Sequence, residues 1–360
     1  MNIVAQQHEA LAALVKRAGT PSLDVPVLLP ASDYFDLAGE EFGRRLVRTT
    51  GGDGNGWCMR PDFTLPIAKS YMADNCADPA AITYLGRVFR QRQTGPVEFE
   101  QAGLELLAQP EGDAALQRVF AFIGEAFSIY DFSSPAVQLG SVELFENLLA
   151  TLDMPDVWRP RVLRRFGNQK QMAELFERLQ NHAGMDNQQQ PDTKEQLVEQ
   201  ITEQMLADGI NPLEGRRPEE IADRYLEKQA LAAALVPAKT IQILQAYLGI
   251  SAPVDQALEK IKNLFAANSI DVQTGLQRID KNAKSLSKIM PGAQVTFDAG
   301  FSPHLHYYTG LVFEISGSAG KILASGGEYD RLLKALGAKR DICAAGCALW
   351  VKRLAGETEA

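Results

Sequence analysis

The spacing of apolar and polar positions divides the chain into three stretches. Near the start, Leu11, Leu14, Val15 and Ala18 recur at helical spacing and Gly19 follows them, which predicts an amphipathic helix closed by glycine. Val25–Pro30 is short, apolar and broken by prolines, so it reads as extended chain. The run GGDGNG over Gly51–Gly56 predicts a turn, and Trp57–Pro61 a strand that ends in a bend. Ile82–Arg90 and Val97–Leu107 alternate as strands do, joined across Thr94-Gly95-Pro96 in the manner of a hairpin. A helix is predicted over 113–130.

From 161 to 290 the helical period dominates and strand signals are few. Asn181–Thr193 has the composition of a linker. Asp255 is placed to cap a helix whose Leu258, Ile261, Leu264 and Phe265 share a face. Strand patterning returns at Gln294–Asp298, Leu311–Ile315 and Lys321–Ser325, and Cys343–Leu349 reads as a buried apolar segment. Strands, a helical block and strands again predict an α+β fold with a helical insertion. The order argues against successive βαβ units and a parallel sheet, and no repeat of fixed period is visible.

Composition narrows the classes of function. The longest unbroken apolar run, about Ala230–Val236, is far short of the roughly 20 residues a membrane helix needs. The N-terminal residues have neither a basic nor an apolar leader segment, so a cytoplasmic protein is expected. A net charge of −9 argues against a broad basic surface for nucleic acid. Cys58, Cys76, Cys343 and Cys347 are few for so long a chain and read as reduced thiols. There is no G-x-x-x-x-G-K-[ST], no G-x-S-x-G and no H-E-x-x-H, and no cofactor is expected. His304 and His306 with Cys343 and Cys347 do not complete a metal-ligand pattern, so buried thiols are the expectation and a metal site is not.

The polar residues of the predicted strands are more informative. Gln101, Gly103 and Glu105 alternate and so share one face, which is either the solvated side of an antiparallel sheet or the wall of a polar pocket. Arg60 and Asp62 flank Pro61, and Arg90 and Arg92 end the second strand. Further on, Tyr307-Tyr308-Thr309-Gly310 precedes a strand, and Gly326-Gly327 with Glu328-Tyr329-Asp330 is predicted to turn into a helix.

Taken in order, these segments resemble the histidyl-tRNA synthetases, a class II aminoacyl-tRNA synthetase family, through most of residues 5–354. Val25–Phe35 looks like the first class motif, and Arg60-Pro-Asp-Phe-Thr64 like the family's R-P-E-G-T. Gly86–Arg90 through Phe99–Glu105 looks like the second motif. Tyr307–Glu314 and Gly326–Asp330 look like the two histidine-specific motifs, and Ala344–Leu354 like the third class motif. The resemblance implies an antiparallel sheet flanked by helices. The core would be formed by 1–160 and 291–360, with the helical insertion at 161–290.

The departures are equally specific. The family's later anticodon-binding domain has no counterpart before Ala360. Where the family places an acid, an arginine, an arginine and a glycine, this chain has Arg92, Val97, Pro303 and Trp350. Adenylation needs preorganised cations at a phosphate, and losing one such group typically costs roughly 10²–10³ in rate. The amino-acid side is better kept. The resemblance implies Asp62, Thr64 and Gln101 for a histidine α-ammonium, Glu105 and Tyr308 for its imidazole, and Tyr329 lining the site. Asp62 is one methylene shorter than the family's glutamate. Arg90 and Arg353 would be a vestigial phosphate site. A synthetase core altered in this way is similar to the regulatory subunits of ATP phosphoribosyltransferase. Those are non-catalytic, dimerise through the first motif (here about Asp33–Arg45), assemble with a short catalytic subunit into a hetero-octamer, and take part in histidine feedback on histidine biosynthesis. The alternative is a free-standing enzyme of synthetase type that activates an amino acid without tRNA.

Overall fold

The structure is a computed structural model that describes residues 3–21, 25–37, 40–51, 54–73, 78–92, 95–109, 112–181, 193–208, 210–211, 217–270, 273–303, 307–317 and 320–357. Cys76, His304, His306 and most of the linker-like segment at 181–193 lie outside the described residues. Twelve strands run in chain order: β1 (Thr20–Pro21), β2 (Leu28–Pro30), β3 (Arg48–Thr50), β4 (Gly56–Met59), β5 (Ala80–Phe89), β6 (Glu98–Leu107), β7 (Ala136–Ser141), β8 (Ser251–Pro253), β9 (Gln294–Asp298), β10 (Leu311–Ser316), β11 (Ile322–Glu328) and β12 (Ala344–Trp350). Among the described residues they form two sheets. The larger has the order β1-β5-β6-β12-β11-β10-β7-β9-β8, and the smaller β2-β4-β3.

The middle of the large sheet, β5 through β7, is antiparallel throughout. Two outer pairs depart from the expected pattern: β1 with β5 and β7 with β9 run parallel. Parallel neighbours need a long crossover. Residues 22–79 connect β1 to β5, and more than 150 residues separate β7 from β9. Gly326-Gly327-Glu328 is the other correction. It continues β11 rather than turning out of it, because Gly326 and Gly327 are laddered on both sides, to β10 and to β12. A Cβ on Gly326 would stand 2.1 Å from the Gly346 carbonyl oxygen, so only glycine lets these strands approach. The helix Asp330–Ala335 starts after the strand ends.

By its contacts the chain divides into two compact units, Met1–Leu148 with Tyr247–Ala360, and Leu149–Ala246. The second is helical, but it is shorter than the expected insertion at 161–290. The helices Val254–Ala266 and Gln273–Ile289 belong to the sheet unit, because their apolar faces are buried there. Val254, Ala257, Ile261 and Phe265 form one such face, and Phe265 stacks on Tyr247 at 5.7 Å. Asp255 sits in the first turn and makes no capping bond. The cap position is Pro253, and the carboxylate lies in the first turn, where it favours the helix dipole. Within the helical unit, Trp158 donates its indole N–H to the Ala234 carbonyl at 2.9 Å, and Thr240 its hydroxyl to Asp153 O.

The core of the sheet unit lies between β10–β12 and the helix Gly112–Ile129, where Phe120 meets Phe313 edge-on at 5.2 Å. Both rings are fully buried. Phe120→Ala is expected to cost about 3–5 kcal/mol of unfolding free energy, whereas Val97→Ala, at an exposed position, should stay within about 0.5 kcal/mol. Urea denaturation of the two variants checks this.

Candidate functional site

One face of β5, β6, β11 and β12 and the start of the helix Thr64–Ala73 enclose one polar cavity. Asp62, Thr64, Tyr84, Arg90, Gln101, Glu105, Tyr307, Tyr308, Tyr329 and Trp350 contribute to its wall. The alternation on β6 does point Gln101 and Glu105 to one face. That face is not solvated: Gln101 is 0% and Glu105 1% exposed. Glycines make the room. Gly86 pairs opposite Gln101 on β5, and Gly346 opposite Glu105 on β12. A Cβ at Gly346 would fall 1.8 Å from Glu105 Oε2. Between them, Tyr84 on β5 lies across Gly103 and donates its hydroxyl to the Cys347 carbonyl at 3.2 Å.

The segment Arg60-Pro-Asp-Phe-Thr64 is clamped so that two of its side chains face inward. The Arg60 guanidinium donates to the carbonyls of Val25 and Arg87 and lies 4.2 Å over the Phe63 ring. Phe63 stacks in turn on Tyr84 at 4.5 Å. Arg60 is thereby a scaffold group, and Asp62 and Thr64 reach the cavity. Asp62 Oδ1 accepts from the Leu65 backbone N–H at 3.3 Å, and the Thr64 hydroxyl donates to Glu105 Oε1 at 2.6 Å. Across the cavity, the Tyr329 hydroxyl donates to Glu105 Oε2 at 2.5 Å.

Glu105 thus receives bonds from two sides, yet burial pushes its carboxyl up to about 8. The bonds from Thr64 and Tyr329 oppose that rise, and Asp62 adds to it. Asp62 is likewise raised by burial, against the pull of Arg90. Gln101 is the exception to the bonding around it. Neither its amide oxygen nor its nitrogen has a partner. An amide left bare in this way costs about 1–3 kcal/mol. The cavity therefore offers two carboxyls and an unfilled amide whose oxygens can accept, an acceptor set for a small ligand carrying N–H groups.

The cationic side is arranged differently. Arg90 Nε donates to Pro61 O at 2.6 Å, and its guanidinium faces Phe42 and Phe99. Arg92 lies over Phe99 at 3.5 Å. Burial holds Arg92 down at about 10, helped by the like charges of Arg353, Arg90 and Arg45. Arg353 donates to Ile322 O at 2.7 Å, lies 5.5 Å from the Trp350 ring, and is not part of the cavity wall, whereas Arg90 is.

Six predicted positions, Asp62, Thr64, Gln101, Glu105, Tyr308 and Tyr329, come together on one cavity. Tyr307 joins them beside Tyr308, as the paired tyrosines ahead of β10 suggested, whereas Tyr84 was not anticipated. The alternation of β5 puts Tyr84 opposite Gly103, a signal readable only once the register is known. Cys343 is exposed and not buried as expected, because it lies just before β12 begins, whereas Cys347 is buried within that strand. Among the described residues, no group of three or more His, Cys, Asp or Glu side chains is placed to hold a metal ion. No described helix is long and apolar enough to cross a membrane.

The chain is 34% identical over 349 residues to the ATP phosphoribosyltransferase regulatory subunit of Brucella anthropi, covering 92% of each chain. It is 35% identical over 357 residues to the protein of that name from Brucella abortus, covering 94% of this chain and 93% of the other. The chain belongs to the family of ATP phosphoribosyltransferase regulatory subunits. The family model described as histidyl-tRNA synthetase also matches it, over residues 3–210 and 223–354. A structure from Bacillus halodurans, described as an ATP phosphoribosyltransferase regulatory subunit/histidyl-tRNA synthetase, superposes with a TM-score of 0.69 at 22% identity, over 99% of this chain and 79% of that one. The histidyl-tRNA synthetase of Nostoc superposes with a TM-score of 0.60 at 15% identity, over 98% and 70%. The fold is therefore that of the class II histidyl-tRNA synthetases, as expected.

The raised Glu105 makes a prediction. Between its ordinary value of 4.5 and about 8, the folded chain keeps a proton that the unfolded chain has released. Stability should therefore fall as pH rises through that window, by up to about 1.4 kcal/mol per pH unit. Glu105→Gln should flatten the fall. Melting temperatures at pH 5 and pH 8 for both proteins check this.

Proposed function

We propose that the chain is the regulatory subunit that works with a short-form ATP phosphoribosyltransferase in the first step of histidine biosynthesis, and that its central cavity takes free histidine as the feedback effector. Family membership supports the catalytic partner. The histidine reading is carried by Gln101, whose wholly buried amide has no partner. With Asp62 and Thr64 it suits an α-ammonium, while Glu105 and Tyr308 suit an imidazole and Tyr329 closes the wall. A cationic ligand also answers the two raised carboxyls, since its charge stabilises their ionised forms.

The subunit contributes no catalysis of its own in this reading. Arg92 is stacked on Phe99 where the synthetases place an acid, and the Trp350 indole fills cavity wall where they place glycine. Pro303 and Val97 stand where the synthetases place arginines, so two cations are lost as well. The chain pairs with itself through the segment near Asp33–Arg45, where Phe35 and the nearby Val27 and Leu28 expose apolar surface. It joins the catalytic subunit in a cytoplasmic hetero-octamer, without nucleic acid, in keeping with its acidic charge.

Three measurements test the reading. Histidine-dependent ATP–pyrophosphate exchange by the pure protein should stay at background, and a clear signal would promote the amino-acid-activating alternative. Sedimentation should show a dimer that forms a larger equimolar complex with the catalytic subunit; two non-interacting species would remove the partner. In calorimetry of the assembled complex, Glu105→Gln should weaken histidine by about 1.5–3 kcal/mol through loss of a charge-assisted bond, and the inhibition curve should shift with it. Unchanged binding and inhibition in both Glu105→Gln and Gln101→Ala would place the effector elsewhere.

A further inference from the structure

Outside the cavity wall, Glu328 is a buried carboxylate, 6% exposed, at the end of β11. Its two oxygens are divided between two tasks. Oε1 accepts from the Arg278 guanidinium, and Oε2 accepts from the Leu311 backbone N–H at 2.8 Å. Its own carbonyl accepts from Thr309 N–H at 2.8 Å. Glu328 therefore staples the start of β10 to the end of β11. Tyr308 lies three residues before Leu311, and Tyr329 is the next residue after Glu328. Both tyrosines line the cavity.

The surroundings leave this carboxylate little choice of position. A Cβ on Gly310 would lie 2.0 Å from Glu328 Oε2, so glycine is what lets the oxygen reach Leu311 N–H. On the far side of Tyr329, Asp330 receives Ala344 N–H at 2.7 Å, its own N–H reaches the Thr309 hydroxyl at 3.2 Å, and Tyr329 N–H donates to Ala344 O at 2.8 Å. Arg278, on the helix Gln273–Ile289, holds two further carboxylates at 2.9 Å: Asp113 of the helix Gly112–Ile129 and Glu143 of the helix Val142–Thr151. Lys281 and Asn282 also bond Asp113. One guanidinium thus ties three helices to the two chain segments that present the tyrosines. All five N–H donors of a guanidinium lie in one plane, so this fork fixes direction as well as distance.

We propose that Glu328, held by Arg278, is a positioning residue for the cavity: it sets Tyr329 against Glu105 and Tyr308 against the ligand, and links ligand binding to the three helices that share Arg278. It touches no ligand itself. The ligand half of this inference rests on the histidine reading; the placement of Tyr329 does not.

The test uses the full chain with glutamate labelled in its side-chain carboxyl for carbon NMR. In the unaltered protein Glu105 should titrate near 8. The Tyr329 bond favours the ionised carboxyl, so Glu328→Gln and Arg278→Met should each move that midpoint upward, by about half a pH unit or more. Arg278→Lys keeps the charge, loses the fork and should fall between. Phe265→Leu, a core change away from the cavity, should lower the melting temperature without moving the midpoint. Calorimetry of the same proteins should show histidine weakened about tenfold in Glu328→Gln and in Arg278→Met. The double variant should be no worse than the poorer single, as expected for residues acting through one another. An unmoved Glu105 midpoint in folded Glu328→Gln or, should that chain not fold, in Arg278→Lys overturns the proposal whatever histidine does. A moved midpoint in a chain that binds no histidine supports the positioning role and removes the ligand reading alone.

Discussion

Glu105 carries a carboxyl group into the interior of the sheet, with 1% of the residue exposed, and the surrounding strands are shaped around that group. An uncompensated carboxylate at this depth is costly. The fold answers it from separate parts of the chain, with a hydroxyl from the start of a helix, a second hydroxyl from beyond β11, and a glycine on β12 that leaves the oxygens their space. Those answers are partial. Glu105 is held up near 8 and Gln101 is not satisfied at all. The protein keeps a polar interior that the chain alone does not complete, which is what supports the proposed ligand there.

The two ends of the cavity differ in how their charges are settled. At the carboxyl end the polar groups lack a cation beyond Arg90. At the other end Arg90, Arg92 and Arg353 are settled by backbone carbonyls and aromatic faces, although they depress one another. A guanidinium bound to a carbonyl and laid on a ring is less available for a developing charge on phosphorus. That asymmetry supports the proposed reading of binding without activation, and the Trp350 indole adds to it by occupying wall space beside Gln101 on the paired strand.

The tyrosines connect these local features to the rest of the sheet unit. Tyr308 and Tyr329 are placed by backbone that Glu328 and Asp330 tie together, and Glu328 is tied to Arg278 and its helices. Networks of this kind have few satisfactory arrangements, because each buried donor or acceptor that loses its partner incurs a desolvation cost. A change at the cavity is therefore felt at the helices and the reverse.

The sequence by itself determined the alternation of β5 and β6, the common face of Gln101 and Glu105, the helical middle of the chain and the segments that carry the family resemblance. All of these depend on local periodicity and residue type, which a linear reading captures. It left open whether that face was wet or buried, because period two is the same for both. Tertiary structure decided the question by covering the face with the segment Arg60–Thr64 and with Tyr308 and Tyr329. Tertiary structure also decided that Gly326-Gly327 extends a strand. Two glycines look like a turn in isolation, and only close neighbours on both sides make them a ladder. The same holds for Arg278. Nothing in its helical surroundings distinguishes it from a solvated arginine until three carboxylates, far away in the chain, converge on its guanidinium. The boundary of the helical unit was decided in the same way, since an amphipathic helix carries no label for which core will bury its apolar face.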